Sequence, residues 1–353
     1  MTAPHKPKTV KIVDVARAAN VSPAVVSRIL SNDGKLVVRD DTRARVQQAI
    51  EALGYIPNPQ ARGLRLSRSN TLAMIVPELN SPVFPVIIQG AQRAAWERGY
   101  SLLVGGMGGE EEDPKVAARL LRSNRIDGLL VTTGRHEAQM LQELKTLSAP
   151  FVLVNRYLDD AHPYATLDER AAADALTRHL ISLGHQRIAF LGGVHRTVGE
   201  RRVAGYADAL QQAGLPWRQE LVIDAGYYKH GGETGLRQLM ALDEPPTAIL
   251  ATNEIVAAGA MASAHALGLR MPQDLSLASL SDGMVAELLT PSLTAARFPL
   301  DRLGYQATSM LVDIVEGRPL EQPGLQLPHE AIIPRQSTGA PSARRRRRAV
   351  PAR

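Results

Sequence analysis

The chain has 353 residues, 44% of them hydrophobic, which is enough apolar sequence for two or three domains, and no cysteine, which excludes disulfides and thiolate chemistry. Its net formal charge of +6 is unevenly spread: residues 1–69 carry +7, residues 70–338 carry −7 and residues 339–353 carry +6. A body that repels phosphate behind a basic head suits a protein that meets nucleic acid at one end far better than it suits a metabolic enzyme.

In chain order, residues 1–9 read as a flexible N-terminus. Ile12, Val15, Ala16 and Ala19 then recur at helical spacing before Asn20 and Val21 interrupt the pattern. Ser22 is a good N-cap, and Pro23 suits the first helical position, where its missing N–H costs nothing. Val25, Val26, Ile29 and Leu30 form one face of a second helix and leave Pro23, Ala24, Ser27 and Arg28 on another. Two short helices joined by a tight turn describe either an ordinary helical hairpin or a helix-turn-helix, whose second helix enters the DNA major groove. In the second case Arg28 can reach guanine as a bidentate donor. A third amphipathic segment runs from Asp40 to Leu53, with Asp40 and Asp41 in the first turn, where the helix dipole favours negative charge. These three helices define an expected DNA-binding domain over residues 10–57. Gly54, Pro57, Pro59 and Gly63 then break the pattern, so residues 58–69 read as a linker, at best transiently helical.

From Thr71 onward, short apolar runs alternate with amphipathic segments. Leu72 to Val76, Ser101 to Val104, Gly128 to Thr132, Phe151 to Val154, Ile188 to Leu191, Leu221 to Ile223, Ala248 to Ala251 and Leu275 to Leu280 read as strands. Helices are predicted near 84–98, 114–123, 137–147, 169–183, 200–213, 231–242 and 254–267. Continuous apolar strands alternating with helices imply parallel sheets covered on both faces. Eight such units exceed one comfortable open sheet, so residues 70–338 are expected to form two Rossmann-like lobes facing a cleft. The fold class is therefore α plus α/β. Ligands of such sheets bind outside the carboxyl ends of the strands.

Signals for chemistry are weak. Gly105-Gly106-Met107-Gly108-Gly109 follows a strand but lacks the spacing of a dinucleotide loop, and no P-loop lysine, zinc-helix pair or nucleophile elbow is present. His195 and His230 have no acid cluster beside them and make a poor metal site, while His185 reads as structural. No cofactor and no catalytic centre are expected. No apolar run approaches a membrane span, and no signal-peptide core follows the N-terminal lysines, which argues against a secreted solute-binding protein. The run Arg344 to Arg348 lacks apolar partners, so residues 339–353 are expected to be disordered.

Several blocks carry a resemblance. Asp14-Val15-Ala16, Val21-Ser22-Pro23-Ala24-Val25-Val26-Ser27-Arg28, Thr42-Arg43 and Gly54-Tyr55-Ile56-Pro57-Asn58 are similar to the headpiece of the lac repressor (LacI/GalR) family of bacterial transcription regulators. Leu183-Gly184-His185-Gln186-Arg187, Leu289-Thr290-Pro291 and Arg335-Gln336-Ser337-Thr338 extend the match to roughly residues 10–338. The resemblance implies a regulator, most simply a repressor, in a cytoplasmic, nucleoid-associated setting. It implies a near-palindromic double-stranded operator, a homodimer with a tetramer left open, and a sugar-type effector between two periplasmic-binding-protein lobes. Chain crossings between the lobes are then expected near Asn155 to Pro163, Ser281 to Pro291 and Leu320 to Leu325. A global regulator governed by a protein partner remains the main alternative.

Carried over residue by residue, the resemblance places Ser22, Pro23, Ala24, Val25, Ser27, Arg28 and Thr42 on DNA, and Asn58, Ala61 and Leu64 in a hinge helix whose leucine wedges into the minor groove. Lys11 stands where a Thr cap is usual and Val25 where a phosphate-contacting Thr is usual. The implied effector residues are Phe84, Asn155, Arg202, Tyr227, Asn253, Ser281 and Asp282. Two carboxylates common in sugar-binding members are missing, because Asn155 and Ser281 replace Asp. With Arg202 kept, the cleft is expected to be more positive, which points to an anionic sugar derivative held by charge-assisted contacts unless Asp282 or Asp168 restores an acceptor.

Overall fold

The computed structural model describes residues 10–30, 36, 38–55, 68–77, 79, 81–106, 116–123, 125–132, 142, 144–146, 149–157 and 162–342. The chain divides into two compact units, Met1–Ser69 and Asn70–Arg353.

In the first unit, α1 (Ile12–Ala18), α2 (Pro23–Leu30) and α3 (Asp40–Leu53) pack around Val15, Ala16, Ala19, Val26, Ile29, Val46 and Ala49. Fully buried valines such as Val15, Val26 and Val46 contribute about 1.5–3 kcal/mol each. So small a domain depends on them. Lys11 has no side-chain cap to offer α1, and Asp14 compensates: its carboxylate accepts the Lys11 backbone N–H at 2.9 Å. Asn20, at φ 53, makes the left-handed turn into α2, where asparagine is tolerated better than most residues. Ser22 Oγ accepts the Val25 N–H at 3.3 Å, and Pro23 opens the helix as its sequence position requires. Gly54, at φ 60, closes α3 in the left-handed conformation usual at a helix C-terminus.

The second unit holds two six-stranded sheets. One contains β1 (Thr71–Val76), β2 (Ser101–Gly106), β3 (Gly128–Val131), β4 (Phe151–Val154), β5 (Tyr164–Leu167) and β11 (Gly324–Leu327), in the order β11-β5-β4-β3-β1-β2. The other contains β6 (Ile188–Gly192), β7 (Val222–Asp224), β8 (Ala248–Ala251), β9 (Ser276–Ser279), β10 (Thr294–Arg297) and β12 (Ala331–Ile333), in the order β12-β10-β9-β8-β6-β7. Every pairing is parallel except that of β10 with β12. The covering helices are α4 (Val83–Glu97), α5 (Val116–Arg122), α6 (Glu169–Ser182), α7 (Arg196–Gln212), α8 (Lys229–Met240), α9 (Glu254–Ala266), α10 (Met284–Leu288) and α11 (Leu300–Val315). One apolar cluster runs through both lobes, including Leu72, Met74 and Leu130 of one sheet with Ile188, Phe190 and Leu250 of the other.

Four strands and two helices escape the sequence patterns: β5, β10, β11, β12, α10 and α11. Three of these strands carry polar or charged residues, Thr166 in β5, Thr294 and Arg297 in β10 and Gln326 in β11, so no continuous apolar run marks them, and β12 has only three residues. This moves each lobe crossing one strand later than expected. The chain leaves the first sheet after Leu167, returns between Arg297 and Leu300, and leaves again between Leu327 and Ala331. On return, α11 packs on α4 so closely that a Cβ at Gly90 would strike the Asp301 carbonyl and one at Gly304 the Ile87 carbonyl. Most of the helix predicted near 137–147 lies outside the described residues.

The C-terminal segment is stitched to the second sheet. Leu277 N–H donates to Ser337 O at 2.9 Å, and Ser337 Oγ donates to Leu277 O and accepts the Thr294 N–H. His185 lies buried beside it, Nδ1 at 2.9 Å from Thr247 Oγ1 and Nε2 at 2.9 Å from the Gly339 carbonyl, so the histidine is structural. Burial pushes its pKa below the ordinary histidine value, partly offset by the hydrogen bond to Gly339.

Candidate DNA-reading helix and effector site

At the start of α2, Ser22, Pro23 and Ala24 are exposed, while Val25, Ser27 and Arg28 are half-buried. Val25 leans on the headpiece core, which accounts for an apolar residue where a hydroxyl is usual. Ser22 Oγ is engaged as the cap of α2. Thr42 sits in the first turn of α3, where its N–H donates to Asp41 Oδ1 at 2.7 Å and its hydroxyl lies within reach of Arg45. Asn58, Ala61 and Leu64 lie outside the described residues.

The effector candidates follow the carboxyl ends of parallel strands: Phe84 after β1, Asn155 after β4, Tyr227 after β7, Asn253 after β8, and Ser281 and Asp282 after β9. Two glycines at the end of β6 admit their neighbours. A Cβ at Gly193 would stand 2.5 Å from Tyr227 Cε2, and one at Gly192 would overlap Thr252. The Tyr227 ring therefore lies on the strand end. Asn253 fixes it from behind, donating from Nδ2 to Tyr227 O at 3.1 Å while its Oδ1 caps α9 through the Val256 N–H at 2.8 Å. The Asn253 Oδ1 and one of its two amide N–H groups are thus engaged within the protein. Phe84 is half-buried against the shared core, and Arg201 lies over the Tyr157 ring of the other lobe.

Arg202 is the centre of this group. Its Nε and Nη2 donate to the two carboxylate oxygens of Glu169 at 2.7 and 2.9 Å, and its Nη1 donates to Thr252 O and Oγ1 at 2.9 and 2.7 Å. Burial works against the guanidinium charge, but the attraction and hydrogen bonds of Glu169 outweigh it and hold the Arg202 pKa above the ordinary arginine value. The charge of Arg202, on which the expected positive cleft rests, is thus balanced by Glu169 inside the protein.

One other candidate side chain is held by the scaffold. The Asp282 side chain, 2% exposed, receives Arg297 and Arg335 at 2.7 Å each, so it is not available as a ligand acceptor. Ser281 is buried, and its backbone N–H and carbonyl both bond Ser279 Oγ. Glu254 is buried too, and it accepts the Ala286 N–H at 3.0 Å. Burial raises its pKa, with that hydrogen bond pulling the other way. Asp168 Oδ1 caps α6 through the Ala171 N–H. Asn155 is held at φ 54 with its N–H on Ala165 O, and its buried Oδ1 has no hydrogen-bond partner among the described residues. Sequence reasoning missed Glu169 and Thr252. Glu169 reads in the sequence as an acid favouring a helix N-terminus. Among the described residues no group of three His, Asp or Glu could hold a metal ion.

Comparison with known proteins places this geometry. Residues 69–338 match the model for periplasmic binding proteins and the sugar-binding domain of the LacI family, and residues 11–58 match that for bacterial regulatory proteins of the lacI family. The chain is 30% identical over 320 residues to the HTH-type transcriptional repressor CytR of Escherichia coli (strain K12), covering 90% of this chain and 93% of the relative. It is similar to the lac repressor dimer bound to operator and the anti-inducer ONPF, with a TM-score of 0.82 at 25% identity over 94% of this chain and 100% of that one. It is also similar to the complex of the transcriptional regulator CelR with cellobiose, with a TM-score of 0.72 at 27% identity over 93% of this chain and 99% of that one. With both halves matched in order and nearly end to end, the chain belongs to the lacI family of bacterial regulatory proteins and is a DNA-binding transcriptional regulator, not an enzyme.

Proposed function

We propose that this regulator is a repressor that binds a near-palindromic operator as a homodimer and responds to a sugar-type effector held between its lobes. The observation that carries the effector reading is the clustering of Arg202, Tyr227 and Thr252 at the carboxyl ends of β6, β7 and β8, where open α/β sheets take their ligands. The sugar-bound and operator-bound relatives support it. Pro23, Ala24 and Arg28 would read base edges, while Ser22, Ser27 and Thr42 hold phosphates. Residues 10–57 serve as the headpiece, 58–69 as the hinge and 70–338 as the effector domain, with Asn58, Ala61 and Leu64 folding on the operator. Met284 and Leu288 of α10 are each 74% exposed, an apolar pair that suits a surface shared between two copies. The site of action is the operator itself, hence the nucleoid.

An effector that binds the two lobe arrangements unequally shifts their equilibrium and, through the hinge, the operator affinity. Operator selection from a random library followed by footprinting tests this reading. The expected result is a protected two-fold site whose occupancy changes with one sugar of a panel. A protected site that no small molecule alters would remove the effector reading and favour control by a protein partner.

A further inference from the structure

Beneath the ligand end of β8, Glu169 and Arg202 form a closed unit. The guanidinium has five N–H groups. Two go to the Glu169 carboxylate and two to Thr252, which leaves one Nη2–H outside these bonds. The side chains are 10% and 1% exposed, so Arg202 cannot turn toward a ligand without stranding a buried carboxylate, which is strongly unfavourable. The second charged group near the β9 end is balanced as well. Arg297 and Arg335 face Asp282, and Arg335 also reaches Glu287 at 3.3 Å. Arg201, the next cation along α7, is turned onto Tyr157, and Arg156 donates to the Thr132 carbonyl. Arg202 therefore brings one remaining N–H and no net charge to this group, beside the buried acceptor Oδ1 of Asn155 and the ring of Tyr227.

A phosphate or carboxylate needs several donors and a surplus of positive charge. A hydroxyl needs one donor and one acceptor. We infer that Glu169 is a positioning and specificity-determining residue: by balancing Arg202 it makes the site select an uncharged, hydroxyl-bearing ligand over the phosphorylated or carboxylated form of the same molecule. This rests on the reading of the Arg202 and Tyr227 group as the effector site. Glu169 acts through Arg202 and need not touch the ligand.

The test is calorimetric titration of the full chain with matched pairs, glucose and glucose 6-phosphate, ribose and ribose 5-phosphate, galactose and galacturonate, and with inorganic phosphate alone. In the wild type, the neutral member of any pair that binds is expected to be tighter by about tenfold, equivalent to about 1.4 kcal/mol. Glu169→Gln is expected to move that ratio toward the anionic member by about the same factor and to create phosphate binding. The double variant Glu169→Gln with Arg202→Gln abolishes that phosphate binding. A merely structural role for Glu169 would weaken both members of a pair equally. The inference is overturned if the wild type prefers the anionic member, or binds phosphate that the double variant does not bind. Should no sugar bind at all, the effector reading fails. The phosphate titrations then still decide the role of Glu169, because gain of phosphate binding in Glu169→Gln supports it and absence of gain removes it. If Glu169→Gln does not fold, the wild-type preference decides alone.

Discussion

Arg201 holds its guanidinium 5.2 Å from the ring centroid of Tyr157, joining α7 of one lobe to the segment after β4 of the other. Tyr157 is itself braced edge-on by Tyr164 at 4.9 Å. A cation over an aromatic face at a partly exposed site contributes about 0.5–1 kcal/mol. Tyr157→Leu is therefore expected to lower the melting temperature of the effector domain by about 2 °C. A double-mutant cycle with Arg201→Met isolates the pair, and additive losses would show that the contact carries no energy.

Breaking the buried Arg202–Glu169 pair is expected to cost far more. Arg202→Met leaves the Glu169 carboxylate buried with no cation, a loss of about 3–5 kcal/mol. Urea denaturation reads this loss. Adding Glu169→Leu to Arg202→Met removes the stranded charge and is expected to recover most of it.

Gly193→Ala tests how Tyr227 is seated. The new methyl would stand 2.5–2.8 Å from the ring and hydroxyl of Tyr227, so the ring must move off the strand end. Overpacking of this kind costs about 1–3 kcal/mol. The expected signature is a weakened effector response in an operator-binding assay with the operator affinity itself retained.

Stability is expected to fall on the acid side of neutrality through His185. Its pKa in the folded chain is depressed from the ordinary value of 6.5 by burial. The neutral form is thus the one the fold accepts. The stability it contributes is fully present above pH 6.5 and is lost as the pH falls from there through the depressed folded value. His179, also depressed by burial, acts in the same direction. Melting temperatures between pH 7.5 and 5.5 measure the slope, and His185→Asn is expected to flatten it partly. An unchanged slope would exclude His185 as its source.

On the headpiece, Arg28→Ala is expected to cost about 1–3 kcal/mol of specific operator binding and to relax preference at one base pair of each half-site. Operator selection with the variant checks this. Ser22→Ala removes the cap of α2 and is expected to cost about 1 kcal/mol of headpiece stability.

Local patterns carried most of the architecture. The spacing of Val15, Ala16, Val26 and Ile29, the Ser22 cap and the Pro23 start specify the headpiece, because helix period and capping depend on neighbours within four residues. The short, continuous apolar runs and their alternation with helices likewise specify parallel sheets. The placement of the candidate residues just after strand ends was legible too, because it depends only on where each apolar run stops. What local patterns could not convey was the state of each charge. A carboxylate at 169 and a guanidinium at 202 meet only because α6 and α7 cover the same sheet, and Asp282 meets Arg335 only because the chain returns to β12 beside β10. The sequence by itself determined that this is a headpiece joined to two α/β lobes and which residues stand at the lobe ends. The tertiary structure alone decided which of those charges are spent inside the protein, because pairing across 33 or 53 residues depends on strand order rather than spacing.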